Sequence, residues 1–128
     1  MQVLIKTSHI SIDPTHRLWM SDAPQYMPHV ELGDVMRALS VGVVEESKFD
    51  GLAKGDTVSG MGGCQDYFVA DGSTVSKLDS SIPVPDQVGP FSIVIGLTAF
   101  YGTMKICKPK AGERMVLSSY ETSAQFPK

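Results

Sequence analysis

Residues 57–71 read TVSGMGGCQDYFVAD and contain the pattern that decides the fold. Tyr67 and Val69 alternate against Asp66 and Phe68, and a glycine-rich turn separates this segment from TVSG. Alternation at a period of two is typical of half-buried β-strands, and glycine clusters are typical of the turns that connect them. The stretch therefore predicts two strands around a turn, either as a hairpin or at the corner of a barrel.

Three further strands are predicted on either side of this stretch. Val3 to Ile12 alternates in the same way and is ended by Asp13-Pro14, because proline has no amide to donate to a sheet. Val35 to Glu46 is rich in β-branched residues, and its internal Gly42 indicates a bulge or a close approach of two backbones. Val75 to Leu78 predicts a short last strand. Five strands at such short spacing are typical of a small, partly open β-barrel, so the fold class is mainly β with short helices.

Helical patterns appear at two places in the chain. Thr15 to Met20 predicts a short helical turn at the start of a loop. Phe91 to Ile106 carries apolar residues at helical separations, so we expect a helix that is interrupted near Gly96 and stopped at Lys108-Pro109. A strand at Arg114 to Ser118 should follow, and the last ten residues lack periodicity and are expected to fray.

The composition is that of an ordinary globular protein. The 128 residues are 42% hydrophobic and 20% charged, with a net charge of -3, and a chain of this length can form one domain with a real core. The mildly acidic balance disfavours binding to nucleic acid or to an anionic membrane. No apolar run is long enough to span a bilayer, and the first ten residues do not resemble a signal peptide.

Cysteine and histidine patterns argue against cross-links and metal sites. Cys64 and Cys107 are too few for a disulfide framework, and two free thiols of a type usually buried fit the cytoplasm. No pair of cysteines or histidines has the close spacing of structural zinc ligands, so no metal is predicted. Gly60, Gly62 and Gly63 precede a strand rather than a helix, so a turn is favoured over a phosphate-binding loop.

Two groups of residues are candidates for a site. Trp19, Met20, Tyr26 and Met27 lie among prolines and either line an apolar pocket, with the Tyr26 hydroxyl as its polar group, or pack beneath a loop. Residues 11–17 contain serine, aspartate and histidine, but nothing resembles a nucleophile elbow, and a turn or capping role for Asp13 is favoured.

Four strings taken in order resemble one family. SIDPTHRLWM (11–20), LGDVMRALSVGVV (32–44), KGDTVSGMGGCQDYFV (54–69) and GLTAFYGTMKICKPKAGE (96–113) are similar to the zinc-independent branch of the medium-chain dehydrogenases/reductases. Within it the likeness is to the prostaglandin, 2-alkenal and curcumin reductases, and it extends to about residue 119. The matching places lack the cysteine and Gly-His-Glu of the zinc-dependent relatives, in agreement with the absence of metal-ligand spacing.

The resemblance implies a GroES-like β-barrel on the substrate side of a reductase. Residues 1–128 would form this N-terminal domain, and residues 91–119 would lead through a helix and a strand toward a Rossmann domain that holds NADP. The implied reaction reduces the C=C bond of small apolar α,β-unsaturated ketones or aldehydes. The sequence has no dinucleotide fingerprint after GERMVLSS, so no cofactor is expected for this chain alone.

Site residues follow from the resemblance one at a time. Thr98 matches a threonine near the nicotinamide, and Pro14 borders the same cleft, so these two are the cofactor-binding candidates. Trp19, Tyr26 and Gln65 are the substrate-binding candidates. Thr15 stands where the family often has tyrosine, so a phenolic contact is expected to be lost, and Cys64 replaces the usual aromatic residue beside Gln65.

Two functions from different classes remain open. In one, the chain is part of a reductase and is inactive alone. In the other, it is a stand-alone module that binds a small apolar ligand or self-associates without catalysis. In either case we expect a homodimer, because the apolar residues of 91–106 would otherwise be exposed.

Overall fold

The computed structural model describes residues 1–88 and 95–116 and forms two compact units, Met1–Ser80 and Ser81–Lys128. The first unit contains five strands, which are β1 (Gln2–Ile10), β2 (Ser40–Ser47), β3 (Thr57–Gly60), β4 (Tyr67–Asp71) and β5 (Ser76–Lys77). They form one antiparallel sheet in the order β4-β1-β2-β3-β5. The short helix α1 (Thr15–Trp19) and a 3-10 turn (Gly72–Thr74) complete this unit. The predicted mainly β fold with short helices is confirmed.

One face of the sheet carries the core. Val3 and Ile5 of β1 are fully buried and alternate with exposed or half-buried neighbours, as the period of two predicts. Ile5 lies opposite Val44 on one side and opposite Phe68 on the other. With Val58 these residues form a single buried cluster. Their burial accounts for the inner position of β1, between β4 and β2.

The glycine-rich turn joins strands that are not neighbours, so the hairpin alternative is wrong. β3 pairs with β2, whereas β4 pairs with β1, on the edge of β1 that faces away from β2. Residues 61–66 therefore cross the end of the sheet, which agrees with the barrel-corner alternative. The crossing places Phe68 against Ile5, where its ring is only 5% exposed. A direct β3–β4 hairpin would not bring the ring to this position.

Gly42 confirms the predicted close approach of two backbones. A side chain at this position would collide with the carbonyl oxygen of Lys6 and with the side chain of Ile5. The pairing of β1 with β2 also shifts register between Leu4 and Ile5 and again between Thr7 and His9. β2 begins at Ser40 rather than at the predicted Val35, because residues 36–38 instead bond to the glycine-rich turn.

The regular structure of the second unit, where it is described, is helical. It contains α2 (Val84–Val88), α3 (Ile95–Phe100) and a π-helix (Tyr101–Cys107). Gly96 is the second residue of α3, and the residues before α3, where a break near Gly96 would also fall, lie outside the described residues. Within the described helix, the irregularity is the π-helix that follows Phe100. The helix ends as predicted at Lys108, whose φ of 49° is left-handed and whose N–H donates to the carbonyl of Thr103.

The predicted strand at Arg114 to Ser118 is not formed over residues 114–116. A strand needs a neighbour to accept its backbone hydrogen bonds, and no ladder pairs with these residues in the described part of the chain. Residues 117 and 118, the start of the helix predicted from Phe91, and the predicted frayed end all lie outside the described residues.

Candidate functional site

A long loop, residues 11–39, connects β1 to β2 and holds most of the predicted site. Its base is closed by the N–H of Ser11, which donates to the carbonyl of Leu39 at 2.9 Å. Within it, the N–H of Val30 donates to the carbonyl of Trp19 at 2.8 Å, and Arg37 donates to the carbonyl of Pro28. These bonds fold the loop against α1. Loops fixed to a rigid sheet in this way are common places for ligand contacts.

Trp19 and Tyr26 are brought together by this loop. The indole N–H of Trp19 donates to the hydroxyl of Tyr26 at 2.7 Å. The two side chains differ in accessibility, since Trp19 is 8% exposed and Tyr26 is 69% exposed. The sheet core is made by other residues. Tyr26 is therefore a largely exposed residue whose hydroxyl is held by the buried indole of Trp19.

Thr15 and His16 also belong to this arrangement, although neither was predicted as a site residue. Thr15 Oγ1 lies 3.2 Å from the hydroxyl of Tyr26. His16 is buried, and its ring centroid lies 5.2 Å from that of Trp19 at an angle of 57°. The signal was available in the sequence, because positions three or four apart on a helix share a face. Both residues stand at that spacing before Trp19.

The nearby catalytic residue types do not form a catalytic chain. Ser11 donates to the carboxylate of Asp13 at 2.5 Å, and Nδ1 of His16 accepts from the backbone N–H of Asp13 at 3.0 Å. The histidine therefore contacts the backbone of Asp13 and not a nucleophile. The N-cap of α1 is Pro14 without a side-chain bond, so Asp13 does not cap the helix. The carbonyl of Asp13 accepts from the N–H of His16, so Asp13 takes part in the predicted turn.

An open depression of about 350 Å³ lies in the same loop, between residues 20–22 and 29–32. Its apolar lining comes from Met20, Val30 and Leu32. His29 lies at its edge and approaches the carboxylate of Glu31 at 3.3 Å. The depression follows directly after Trp19 in the chain and is of a size that a small organic molecule can enter.

Gln65 lies on the glycine-rich turn and bonds within it. Its side-chain amide donates to the carbonyl of Gly62 at 2.7 Å. The turn is attached to the last part of the long loop, where the N–H of Cys64 donates to the carbonyl of Met36. The structure thus joins Trp19 to Tyr26 by a hydrogen bond, whereas Gln65 lies on the glycine-rich turn and bonds to Gly62. Both Cys64 and Cys107 are exposed rather than buried.

The two predicted cofactor contacts lie in different units. Pro14 is exposed at the start of α1, and Thr98 is exposed on α3. The pyrophosphate of a dinucleotide binds at a helix that follows a glycine-rich turn. In the described residues α1 follows Pro14, α2 follows Pro83, and the glycine-rich turn leads into β4. Neither α1 nor α2 therefore follows a glycine-rich turn, and the residues directly before α3 lie outside the described ranges.

Within residues 1–88 and 95–116, no three side chains of histidine, cysteine, aspartate or glutamate come together as a metal ion requires. In the same ranges, no helix combines the length and apolar character needed to cross a membrane.

The sequence and the fold of this chain are similar to those of known proteins. Residues 1–78 match the family described as the N-terminal domain of oxidoreductase. The NADPH-dependent curcumin reductase of Escherichia coli (strain K12) is 37% identical over 118 residues, which are 92% of this chain and 34% of that protein. Prostaglandin reductase 1 of Mus musculus is 30% identical over 124 residues, which are 92% of this chain and 35% of that protein.

A solved structure gives the same result. The crystal structure of CurA in complex with NADPH from Vibrio vulnificus superimposes with a TM-score of 0.76 at 31% identity. The match covers 88% of this chain and 33% of that one. This chain thus spans about a third of the length of the proteins it matches. It belongs to the oxidoreductase family whose N-terminal domain it matches, in the zinc-independent medium-chain dehydrogenase/reductase group of the curcumin and prostaglandin reductases.

Proposed function

We propose that this chain is the substrate-side domain of an NADPH-dependent reductase that reduces the C=C bond of α,β-unsaturated ketones or aldehydes. Membership of the family supports the oxidoreductase class, and the names of the relatives support NADPH as the reductant. Two exposed free thiols are compatible with a reducing compartment, so cytoplasm is the proposed location.

The exposed hydroxyl of Tyr26 is the observation that favours this substrate class. An enone or enal is apolar apart from one carbonyl oxygen, which gains negative charge when the double bond is reduced. A fixed hydrogen-bond donor at that oxygen stabilises the charge. Tyr26 supplies such a donor from the same loop that carries the depression lined by Met20, Val30 and Leu32 together with polar side chains.

The other predicted residues take supporting roles in the proposal. Pro14 would border the ligand beside α1, and Gln65 would contact it from the glycine-rich turn. Thr98 would lie near the nicotinamide in a protein that also contains a dinucleotide domain. Because the chain spans only about a third of the length of the NADPH-dependent relatives, we propose that the 128-residue chain alone has no NADPH-dependent turnover.

A chimera tests the proposal. This chain replaces the matching third of the Escherichia coli curcumin reductase, and NADPH oxidation is followed with an enone as substrate. We expect turnover by the chimera and none by the 128-residue chain above background. A chimera that folds and binds NADPH but reduces no enone would contradict the proposed function. Turnover by the chain alone would contradict its proposed inactivity.

A matched pair of variants of the chimera tests the role of Tyr26. Tyr26→Phe should lower kcat/KM about tenfold or more, because one donor to the developing oxyanion is lost. Tyr67→Phe removes a hydroxyl from the half-exposed tyrosine of β4 and should leave kcat/KM unchanged. Equal kcat/KM in the two variants would exclude the hydroxyl of Tyr26 from the reaction.

The exposed apolar side of the second unit favours a second candidate function, self-association. Leu97, Phe100, Tyr101 and Met104 are each more than half exposed and recur at helical spacing. Burying each of them is worth about 1.5 to 3 kcal/mol before the entropy of association is included. A two-fold pairing of this side, giving a homodimer, would remove it from water in both copies.

Sedimentation at micromolar concentration tests the dimer. The wild-type chain should run as a dimer and Phe100→Glu as a monomer, because a charge would be placed in the pairing surface. A wild-type chain that sediments as a monomer would exclude this surface as a dimer contact.

A further inference from the structure

The chemistry of Trp19 determines which way the hydroxyl of Tyr26 can act. The indole nitrogen is a donor and cannot accept a hydrogen bond. Its bond to Tyr26, at 2.7 Å, therefore occupies a lone pair of the phenol oxygen. The phenol's own hydrogen must point elsewhere. With Trp19 in place, one acceptor position of the phenol is occupied and its hydrogen is left for Thr15 or for a ligand, which favours the donor role of Tyr26 over the acceptor role.

The second neighbour of Tyr26 can give way to a ligand. Thr15 Oγ1 lies 3.2 Å from the phenol oxygen, farther than the indole nitrogen. A threonine hydroxyl rotates and serves as donor or acceptor. Tyr26 is 69% exposed as a residue, and a ligand carbonyl that takes the place of Thr15 would accept the phenol hydrogen. An alcohol oxygen can accept the same bond, but the alcohol hydrogen finds one acceptor position of the phenol already occupied by Trp19.

The indole is held in place from several directions. The backbone carbonyl of Trp19 accepts from the N–H of Val30, and the indole ring packs on the ring of His16. His16 in turn is tied through Nδ1 to the backbone of Asp13. Trp19 is only 8% exposed, so rotation of the ring would require the surrounding loop to move. These contacts keep the N–H directed at Tyr26.

We propose that Trp19 is a positioning residue that fixes the Tyr26 hydroxyl as a hydrogen-bond donor and so makes the site select carbonyl compounds over the corresponding alcohols. This inference rests on the proposed function, in which Tyr26 contacts the ligand, and adds the residue that sets the direction of that contact. The inference predicts a ratio of two dissociation constants, that of the alcohol over that of the ketone. This ratio can change while the affinity for either ligand stays high.

Calorimetric titration of the full chain with two matched ligands tests the preference. The probes are benzylideneacetone and the allylic alcohol obtained by reducing its carbonyl. We expect the wild-type chain to bind the ketone about tenfold more tightly, which is the size of one net hydrogen bond. Trp19→Phe keeps an aromatic ring but removes the donor, so the preference should fall to about one. If Trp19 had only a structural role, Trp19→Phe would weaken the binding of both ligands by the same factor.

A second variant and a spectrum keep the test decisive if Trp19→Phe does not fold. Tyr26→Phe should lose the preference in the same way. The chain has one tryptophan, so its indole N–H gives one side-chain signal in a proton–nitrogen NMR spectrum. That signal should move upfield in Tyr26→Phe and stay unchanged in the control Tyr67→Phe.

The outcomes separate this inference from the proposed function. A ketone preference that persists in Trp19→Phe or Tyr26→Phe overturns the positioning role and leaves the reductase proposal standing. An indole signal that does not respond to Tyr26→Phe also overturns it. Failure of both ligands to bind the wild-type chain overturns the inference as well, and the chimera then decides the proposed function independently.

Discussion

Replacement of Gly62 by alanine tests how tightly the glycine-rich turn packs on the sheet. A methyl group at this position would lie 2.5 to 2.8 Å from three carbons of the Phe68 ring. Unstrained carbon–carbon contacts lie near 3.5 to 4.0 Å, so the ring must move by about 1 Å. Phe68 is 5% exposed and packs in the core with Ile5, and this leaves little room for movement. We expect Gly62→Ala to lower the free energy of unfolding by about 1 to 3 kcal/mol, as overpacking does.

Equilibrium urea denaturation followed by circular dichroism measures this change. Phe68→Leu should relieve the clash, so the double variant should be less destabilised than the sum of the single variants by about 1 kcal/mol or more. Gly102→Ala is the control, because no atom lies near the added methyl group there and the residue belongs to the other unit. Additive effects of Gly62→Ala and Phe68→Leu, or a neutral Gly62→Ala, would refute the close packing of this turn.

Two further substitutions have defined effects on stability. Ser40 is buried and donates to the carbonyl of Gly63 at 2.9 Å, so Ser40→Ala should cost about 1 kcal/mol in urea denaturation; an unchanged midpoint would contradict this. The pKa of Asp56 is lowered first by the N–H of Ala53 and then by Lys77. Because its folded pKa is depressed, the stabilisation by Asp56 is present at neutral pH and lost as the pH falls through that folded pKa. Asp56→Asn should therefore lower the Tm at neutral pH, with a difference from wild type that disappears in acid, and a difference independent of pH would contradict the role of the charge.

The sheet could be predicted from the sequence because its signals are local. Val3 and Ile5 recur at the period of a strand, and Gly42 stands where another backbone approaches. These patterns depend only on the period of a strand and on the missing side chain of glycine. Strand pairing is not local, and so the neighbour of β4 was left open. It is decided by which strand can bury Phe68 beside Ile5, and this depends on residues far apart in the sequence.

The candidate site was predicted in part for the same reason. Proline spacing and large side chains identified the loop with Trp19 and Tyr26, and family resemblance supported it. The direct bond between them was not predictable, because Tyr26 follows Trp19 by seven positions through an irregular loop. Thr15 was expected to lose a phenolic contact, yet it lies beside a different phenol, that of Tyr26. A substitution judged only at its own position misses such an exchange.

Ligand selection and fold stability should be separable in this chain. α1 has five residues, too few to be stable as an isolated helix. Its geometry therefore depends on the buried indole of Trp19 and on the bond from Val30, neither of which belongs to the sheet core. Loss of the indole donor changes how Tyr26 meets a ligand while the cluster around Ile5 stays intact. Overpacking at Gly62 does the reverse, because it acts on the core through Phe68 and leaves the Trp19–Tyr26 bond in place. A variant of either kind that changes both properties together would mean that the long loop and the sheet unfold as one cooperative unit.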